Sequence, residues 1–200
     1  MQDSEFLDLR SGVLHKLQTS LDPRLTYHNK EHTEDVMTQA ERIACEESIT
    51  DKRTLLLIKI AALFHDTGFL YTYKEHEKRS CQILSETLNI GSFDAAEIEL
   101  MHGMILATKV PQSPHNLYEM ILCDADLDYL GRNDFEPISN NLKDEFMTYG
   151  IIKSEMDWDQ LQVKFFESHT YFTSTSIQNR QPLKLQHLKI LKQKLLNPKM

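Results

Sequence analysis

A chain of 200 residues with a formal net charge of −8, six glycines and six prolines is long enough for one well-cored domain and is biased toward helix. The acidic balance, with no long basic run, argues against gripping nucleic acid through its phosphate backbone. The polar opening MQDSEFLDLR is not expected to act as a signal peptide, and no apolar run is long enough to span a bilayer.

Helical periodicity recurs along the chain and strand-like alternation does not, so an all-α fold is expected. Residues 4–19 predict a first amphipathic helix, ended by LDPR. A second is expected from about His28 to Glu47, with His32, Val36, Ala40 and Ile43 on one face. Asp51 is placed to cap a third, DKRTLLLIKIAALFH. That segment is apolar almost all round and belongs at the centre of a bundle. After a DTGFLYTY loop, a fourth helix begins near Glu75 and carries HEKRSCQILSETL, with NIGSFD ending it. Ser92 or Asp94 caps a fifth, AAEIELMHGMILAT, and the two prolines of KVPQSPHN mark a loop. A sixth is predicted from about Leu117 to Tyr129 and another around DFEPISNNLKDEFMTY. A longer one follows from Ser154, and a last one covers 182–196. No linker divides the chain. Cys45, Cys81 and Cys123 are widely spaced and follow no C-x-x-C pattern, which fits a reduced, cytoplasmic compartment with buried thiols rather than ligands.

Three places concentrate residues able to carry chemistry. His28 and His32, in YHNKEH, stand four apart, so a helix through both would set them on one face. That spacing serves one metal, one ligand and one acid, or simple packing at a helix start. His65 and Asp66 close the most apolar segment of the chain. There, burial and the negative end of the helix dipole both oppose a carboxylate's charge. A divalent cation reverses both penalties, and a neutral imidazole beside it is a good ligand; a buried pair with Lys or Arg is the alternative. The third place is CDADLDYLGRND, with Asp124, Asp126 and Asp128. An EF-hand loop from Asp124 would need Gly at its sixth place and Glu at its twelfth, where Tyr129 and Phe135 stand, so a calcium loop is rejected. Two histidines and two carboxylates completed by waters suit Fe, Mn, Mg or a permissive Zn site, and not a closed thiolate zinc site.

In that order, His32, His65-Asp66 and an aspartate of DADLD resemble the H…HD…D signature of the HD-domain superfamily of metal-dependent phosphohydrolases. YHNKEHTEDV, AALFHDTGF, HEKRS, ILATK and LCDADLDYLGR follow the order of small bacterial predicted HD phosphohydrolases. YHN followed by HTEDV is similar to the cyclic-nucleotide phosphodiesterase branch, although the extended helical domain and the glutamine-and-aromatic purine clamp of that branch are not found. The resemblance implies a single-domain HD-type helical bundle around a metal site. Its metal-site core would cover about 24–132, with C-terminal helices in 133–200 completing the bundle.

The same resemblance implies His32, His65 and Asp66 as metal ligands, Asp126 as the last ligand with Asp124 as the fallback, and His28 as the acid that protonates a leaving alkoxide. One divalent ion per chain (Mn, Fe, Mg, Zn or Ni) is expected rather than two. His76 matches the first histidine of a second site, but the turn that would supply the other reads Ile105-Leu106-Ala107-Thr108. His102 lies six residues before Thr108 and is expected as a partly buried helix residue. The implied activity is hydrolysis of a phosphodiester or nucleotide phosphate ester by an activated water, which Asp66 would orient or deprotonate. Lys109 and Arg180 are candidate phosphate contacts, and Glu77 is a candidate to orient a water. His169 and Tyr171 are candidates to line the pocket; His169 is expected as a satisfied core histidine, on a helical stripe with Trp158, Leu161, Phe165 and Phe172. The implied partner is a small phosphorylated molecule such as a nucleotide, without nucleic acid or membrane. The alternatives are an HD-type di-iron oxygenase, which wants six protein ligands, and a non-catalytic nucleotide-binding sensor.

Overall fold

The helix at the centre of the fold is the one whose sequence is apolar on every side. In the computed structural model, which describes residues 2–88 and 92–196, that helix is α3 (Lys52–Phe64). Asp51 caps it by accepting from Thr54 N, and Leu57, Ile58 and every residue from Ile60 to Phe64 are buried. Each of its large side chains contributes about 1.5–3 kcal/mol by leaving water. Around it stand α1 (Asp3–Ser20), α2 (Lys30–Glu46), α4 (His76–Thr87), α5 (Ala95–Ala107) and α6 (Leu117–Asp126), and these helices share one hydrophobic core. The expected break NIGSFD lies partly outside the described residues, at 89–91; of the two candidate caps beyond it, Asp94 accepts from Glu97 N to start α5.

A second, smaller core lies beyond α6. It is built from Tyr27, Leu127, Tyr129, Leu130, Phe135, Phe166 and Leu191, and α7 (Phe135–Thr148), α8 (Glu155–Ser168) and α10 (Gln181–Leu196) close over it, with α9 (Ser174–Asn179) between the last two. The two cores are joined at Asp128, a fully buried carboxylate met by Arg42 at 2.8 Å, Arg180 at 2.9 Å and Arg132 at 3.6 Å. Every element among the described residues is helical, so the all-α expectation holds. Cys81 and Cys123 are buried as expected, while Cys45 is exposed.

Several boundaries differ from those expected, each for a local reason. α2 starts at Lys30, not His28, because the Asn29 side chain accepts from His32 N and caps it; His28 therefore precedes the helix and does not share its face. α6 stops at Asp126 and continues as a 3-10 turn over Asp128–Gly131. Earlier in the chain, the first 3-10 turn, Thr67–Leu70, occupies the expected DTGFLYTY loop. The long helix from Ser154 ends at Ser168, where His169 turns extended (ψ 136°). The hydroxyl-rich HTYFTSTS that follows bonds locally instead, with Thr173 accepting from Ser176 N to cap α9. Phe172 accordingly leaves the stripe it was expected to share with His169. Gly68 in the first 3-10 turn is required by close approach: a Cβ there would stand 2.0 Å from the His76 carbonyl oxygen. Its N–H donates to Ser80 Oγ at 2.8 Å, which holds the start of α4 against the end of α3.

Candidate metal centre

Three helix ends deliver the cluster. The first turn of α2 carries His32, the residues just after α3 are His65 and Asp66, and the last residue of α6 is Asp126. Because α2 packs on both α3 and α6, these ends meet. Asp66 Oδ2 lies 3.4 Å from His32 Nε2 and 3.2 Å from His65 Nε2. Asp126 Oδ1 lies 3.2 Å and 3.6 Å from the same two nitrogens, which are themselves 3.4 Å apart. His32, His65 and Asp66 can direct one ligand atom each to a common point.

The donor set fits a cation. His65 Nδ1 donates to the Ala62 carbonyl at 2.8 Å, which uses the single proton of a neutral imidazole and leaves the Nε2 lone pair facing two carboxylates. Among the described residues, Asp66 Oδ2 is buried with no hydrogen-bond partner. The buried Asp66 carboxylate and the partly buried Asp126 carboxylate, both aimed at two imidazole nitrogens, need positive charge between them, and a divalent ion would supply it.

Without metal, a proton takes that place. Burial works against a charged His65, but the Asp66 and Asp126 carboxylates outweigh it and hold the ring well above its ordinary value. Burial likewise opposes charge on the two acids, yet His65 holds Asp66 well below the carboxylate range, and His32 and His65 hold Asp126 at about 2. The sign for stability follows. The His65 proton stabilises the metal-free fold below the ordinary histidine value, and that contribution is lost as pH rises through the raised one. A metal must displace the proton, so its affinity rises with pH, by about tenfold per unit while one proton is released. The thermal shift produced by Mn²⁺ on chelator-treated protein is therefore expected to be larger at pH 8 than at pH 6. A shift independent of pH would place the ion elsewhere.

His28 stands beside the cluster, its ring 6.1 Å from that of His32. Its Nδ1 donates to Glu145 Oε1 at 2.5 Å. Glu145 is fully buried and also accepts from Tyr73 Oη (3.0 Å), Tyr27 N (3.0 Å) and His28 N (3.1 Å). Burial alone would raise its pKa, but His28 and these backbone donors lower it. With Nδ1 so engaged, Nε2 is the His28 nitrogen left for proton transfer. Glu145, Tyr73 and Phe69, which stacks on both His28 and His76, escaped the sequence reading. A signal for Glu145 existed, since it is a carboxylate on the stripe that α7 buries with Phe135 and Ser139.

His76 stands on the other side of Asp66, its Nε2 3.4 Å from Oδ1 and 3.7 Å from the buried Glu77. His102 does not join it, because Nε2 is bonded to Ser85 Oγ (2.9 Å) and the Cys81 carbonyl (3.1 Å) between α4 and α5.

The expected roles of five residues are corrected. Asp124 turns away from the cluster and anchors the segment before α9, accepting from Phe172 N (2.9 Å), Thr173 N (2.8 Å) and Thr173 Oγ1 (2.6 Å). Arg180 is held by Asp128, and Lys109 is paired at the surface with Glu75, so neither is aimed at the cluster. Tyr171 Oη is tied to the Leu127 carbonyl at 3.2 Å. His169 is not a satisfied core residue: among the described residues both ring nitrogens are buried without a partner, and burial, then Lys184, lower its pKa to about 3. It lines with Gln112 a cavity of 130 Å³ that adjoins the one at Asp126 and shares Val110, Leu127 and Phe165 with it. A glutamine among aromatic rings, not expected from the sequence, is present: Gln162 of α8 lies with Phe165 and Phe166 in a cavity that reaches Asp126.

If Asp124 is structural, Asp124→Ala leaves two backbone N–H groups and a hydroxyl without their acceptor. It is expected to cost about 3 kcal/mol in urea unfolding without changing the metal-to-protein ratio; loss of metal in a folded variant would contradict this role.

The HD domain model matches residues 29–128, half of the chain. The whole chain also resembles the crystal structure of a predicted HD superfamily hydrolase from an uncultured Thermotogales bacterium, with a TM-score of 0.61 and 20% identity over 98% of each chain. At that identity the likeness is one of fold. No curated protein matches. No helix among the described residues is long and apolar enough to cross a membrane. With its H, HD and D residues gathered from three helix ends, and a family model spanning half its length, the chain belongs to the HD-domain family.

Proposed function

We propose that this protein is a metal-dependent phosphohydrolase acting on a phosphate ester, with phosphodiesters and nucleotides as the first classes to test, and that His32, His65, Asp66 and Asp126 hold its divalent ion. The observation that carries this reading is the unpartnered Asp66 Oδ2, set among two imidazole nitrogens. A bound divalent ion lowers the pKa of a water to about 7 and polarises a phosphoryl oxygen. The protein's own groups account for the proton movements. The water oxygen bonds to phosphorus and its proton passes to the Asp66 carboxylate. The bond from phosphorus to the ester oxygen breaks, and that oxygen takes the proton of His28 Nε2. Glu145 holds His28 through Nδ1 and so sets the direction of Nε2.

The test is a metal-by-substrate screen. Stripped protein is reloaded with Mn, Fe, Mg, Zn or Ni and offered phosphodiesters, cyclic nucleotides, and mono- and triphosphates. Turnover that appears with metal and disappears with chelator is expected. Hydrolysis that persists in metal-free protein, or no hydrolysis of any ester with any ion, would overturn the proposal.

A further inference from the structure

Next to the four-residue cluster the structure opens a cavity of about 260 Å³. His28, Tyr27 and Asp126 stand where it meets the cluster, and its walls are drawn from the second core and from α7 and α8, among them Phe135, Phe146, Trp158 and Phe165. Among the described residues, no lysine or arginine lines it. Of the polar groups in its walls, Gln162 Nε2 donates to Ser139 Oγ and the Tyr129 phenol pairs with that of Tyr27. Lys109, Lys143 and Arg132, each within two residues of a lining residue, are held by Glu75, by Glu155, and by Asp35 and Asp134 respectively.

This lining sorts substrates by charge. A second or third phosphate inside the cavity would be an anion removed from water without a partner, which is strongly unfavourable. An apolar group there gains burial on nearly every side. An apolar cavity of about 150 Å³ accepts benzene, so this one has room for a ring with a substituent or for a short alkyl chain. The position of His28 sets the direction, because it belongs both to the cavity mouth and to the edge of the metal cluster. A bond from phosphorus to an ester oxygen that points from the cluster into the cavity passes His28.

We propose that this cavity receives the ester group of the substrate, and that the substrate is an aryl or short-chain alkyl ester of phosphate rather than a nucleoside polyphosphate. The inference rests on the phosphohydrolase reading above and narrows it. In the reaction, water oxygen becomes bonded to phosphorus, the bond from phosphorus to the aryl or alkyl oxygen breaks, and the freed alcohol or phenol leaves with the proton from His28.

The experiment uses the full chain loaded with Mn²⁺ and follows the alcohol or phenol released from methyl, ethyl, propyl, butyl and phenyl esters, as monoesters and as methyl diesters. A nucleoside triphosphate and a cyclic nucleotide serve as comparators. Burial of each methylene is expected to raise kcat/KM about fourfold, or roughly 60-fold from methyl to butyl. Leu161→Trp, which crowds one wall, is expected to lower the butyl-to-methyl ratio at least about tenfold. Phe165→Ala, which enlarges the cavity, is expected to move the best chain to a longer one. A flat series, faster turnover of either nucleotide than of phenyl phosphate, or ratios unmoved by both variants would overturn this inference and leave the hydrolase reading standing. No turnover of any ester would overturn both.

Discussion

Asp66→Ala is expected to lose metal and turnover together. Asp66 is the residue through which the cluster is most tightly connected, since Oδ2 faces His32 and His65 while Oδ1 faces His76. Removing it leaves one carboxylate opposite two imidazoles and halves the negative charge that would hold a divalent ion. The several kcal/mol that such an ion contributes to a charged transition state correspond to about 10³-fold in rate or more. Metal analysis of the purified variant is expected to show well under one ion per chain, and added Mn²⁺ should restore activity to chelator-treated wild type but not to the variant. Asp66→Ala protein that hydrolyses esters at the wild-type rate, with or without metal, would end this account of the centre. Asp124→Ala is the matched control, because it removes a buried carboxylate two residues from Asp126 that bonds to Phe172 and Thr173 instead.

His28→Ala should lower kcat by about 10²–10⁴-fold while leaving the metal content unchanged. The loss should depend on the leaving group. An alkoxide needs a proton as its bond to phosphorus breaks, whereas 4-nitrophenolate leaves without one, so the nitrophenyl ester should lose far less. Glu145→Gln is expected to fall between wild type and His28→Ala. It retains an acceptor for the surrounding N–H groups but replaces the 2.5 Å hydrogen bond from His28 to a carboxylate, which orients the ring, with one to a neutral amide. Because the carboxylate pKa of Glu145 is lowered, it stays charged across the neutral range, and its effect on rate should persist from pH 6 to pH 8. Equal losses for alkyl and nitrophenyl esters in His28→Ala would assign His28 to binding rather than to proton transfer.

Much of the centre was legible because it lies in short stretches. His65-Asp66 after ten nearly continuous apolar residues is anomalous by charge and burial alone, and the Asp51 cap and the central position of α3 follow from local pattern. The Asn29 cap, equally local, was missed, which put the start of α2 two residues early and His28 on the wrong side of it. The choice between Asp124 and Asp126 was not legible from spacing. Two residues apart on a helix, they point roughly 200° from one another, and both are carboxylates after an apolar run. The partner of His28 lies 117 residues further along the chain.

What the sequence by itself determined is the helical class, the apolar central helix and the residue types at its end, since these rest on periodicities and neighbours within a few turns. The tertiary structure alone decided that Asp126 faces His32 across 94 residues, that Asp124 holds the chain before α9, that Lys109 and Arg180 are already paired, and that the cavity beside the cluster is walled by aromatic rings. Each of those depends on which face of one helix docks against another. Docking is set by the summed packing of two cores, and no spacing along the chain records it.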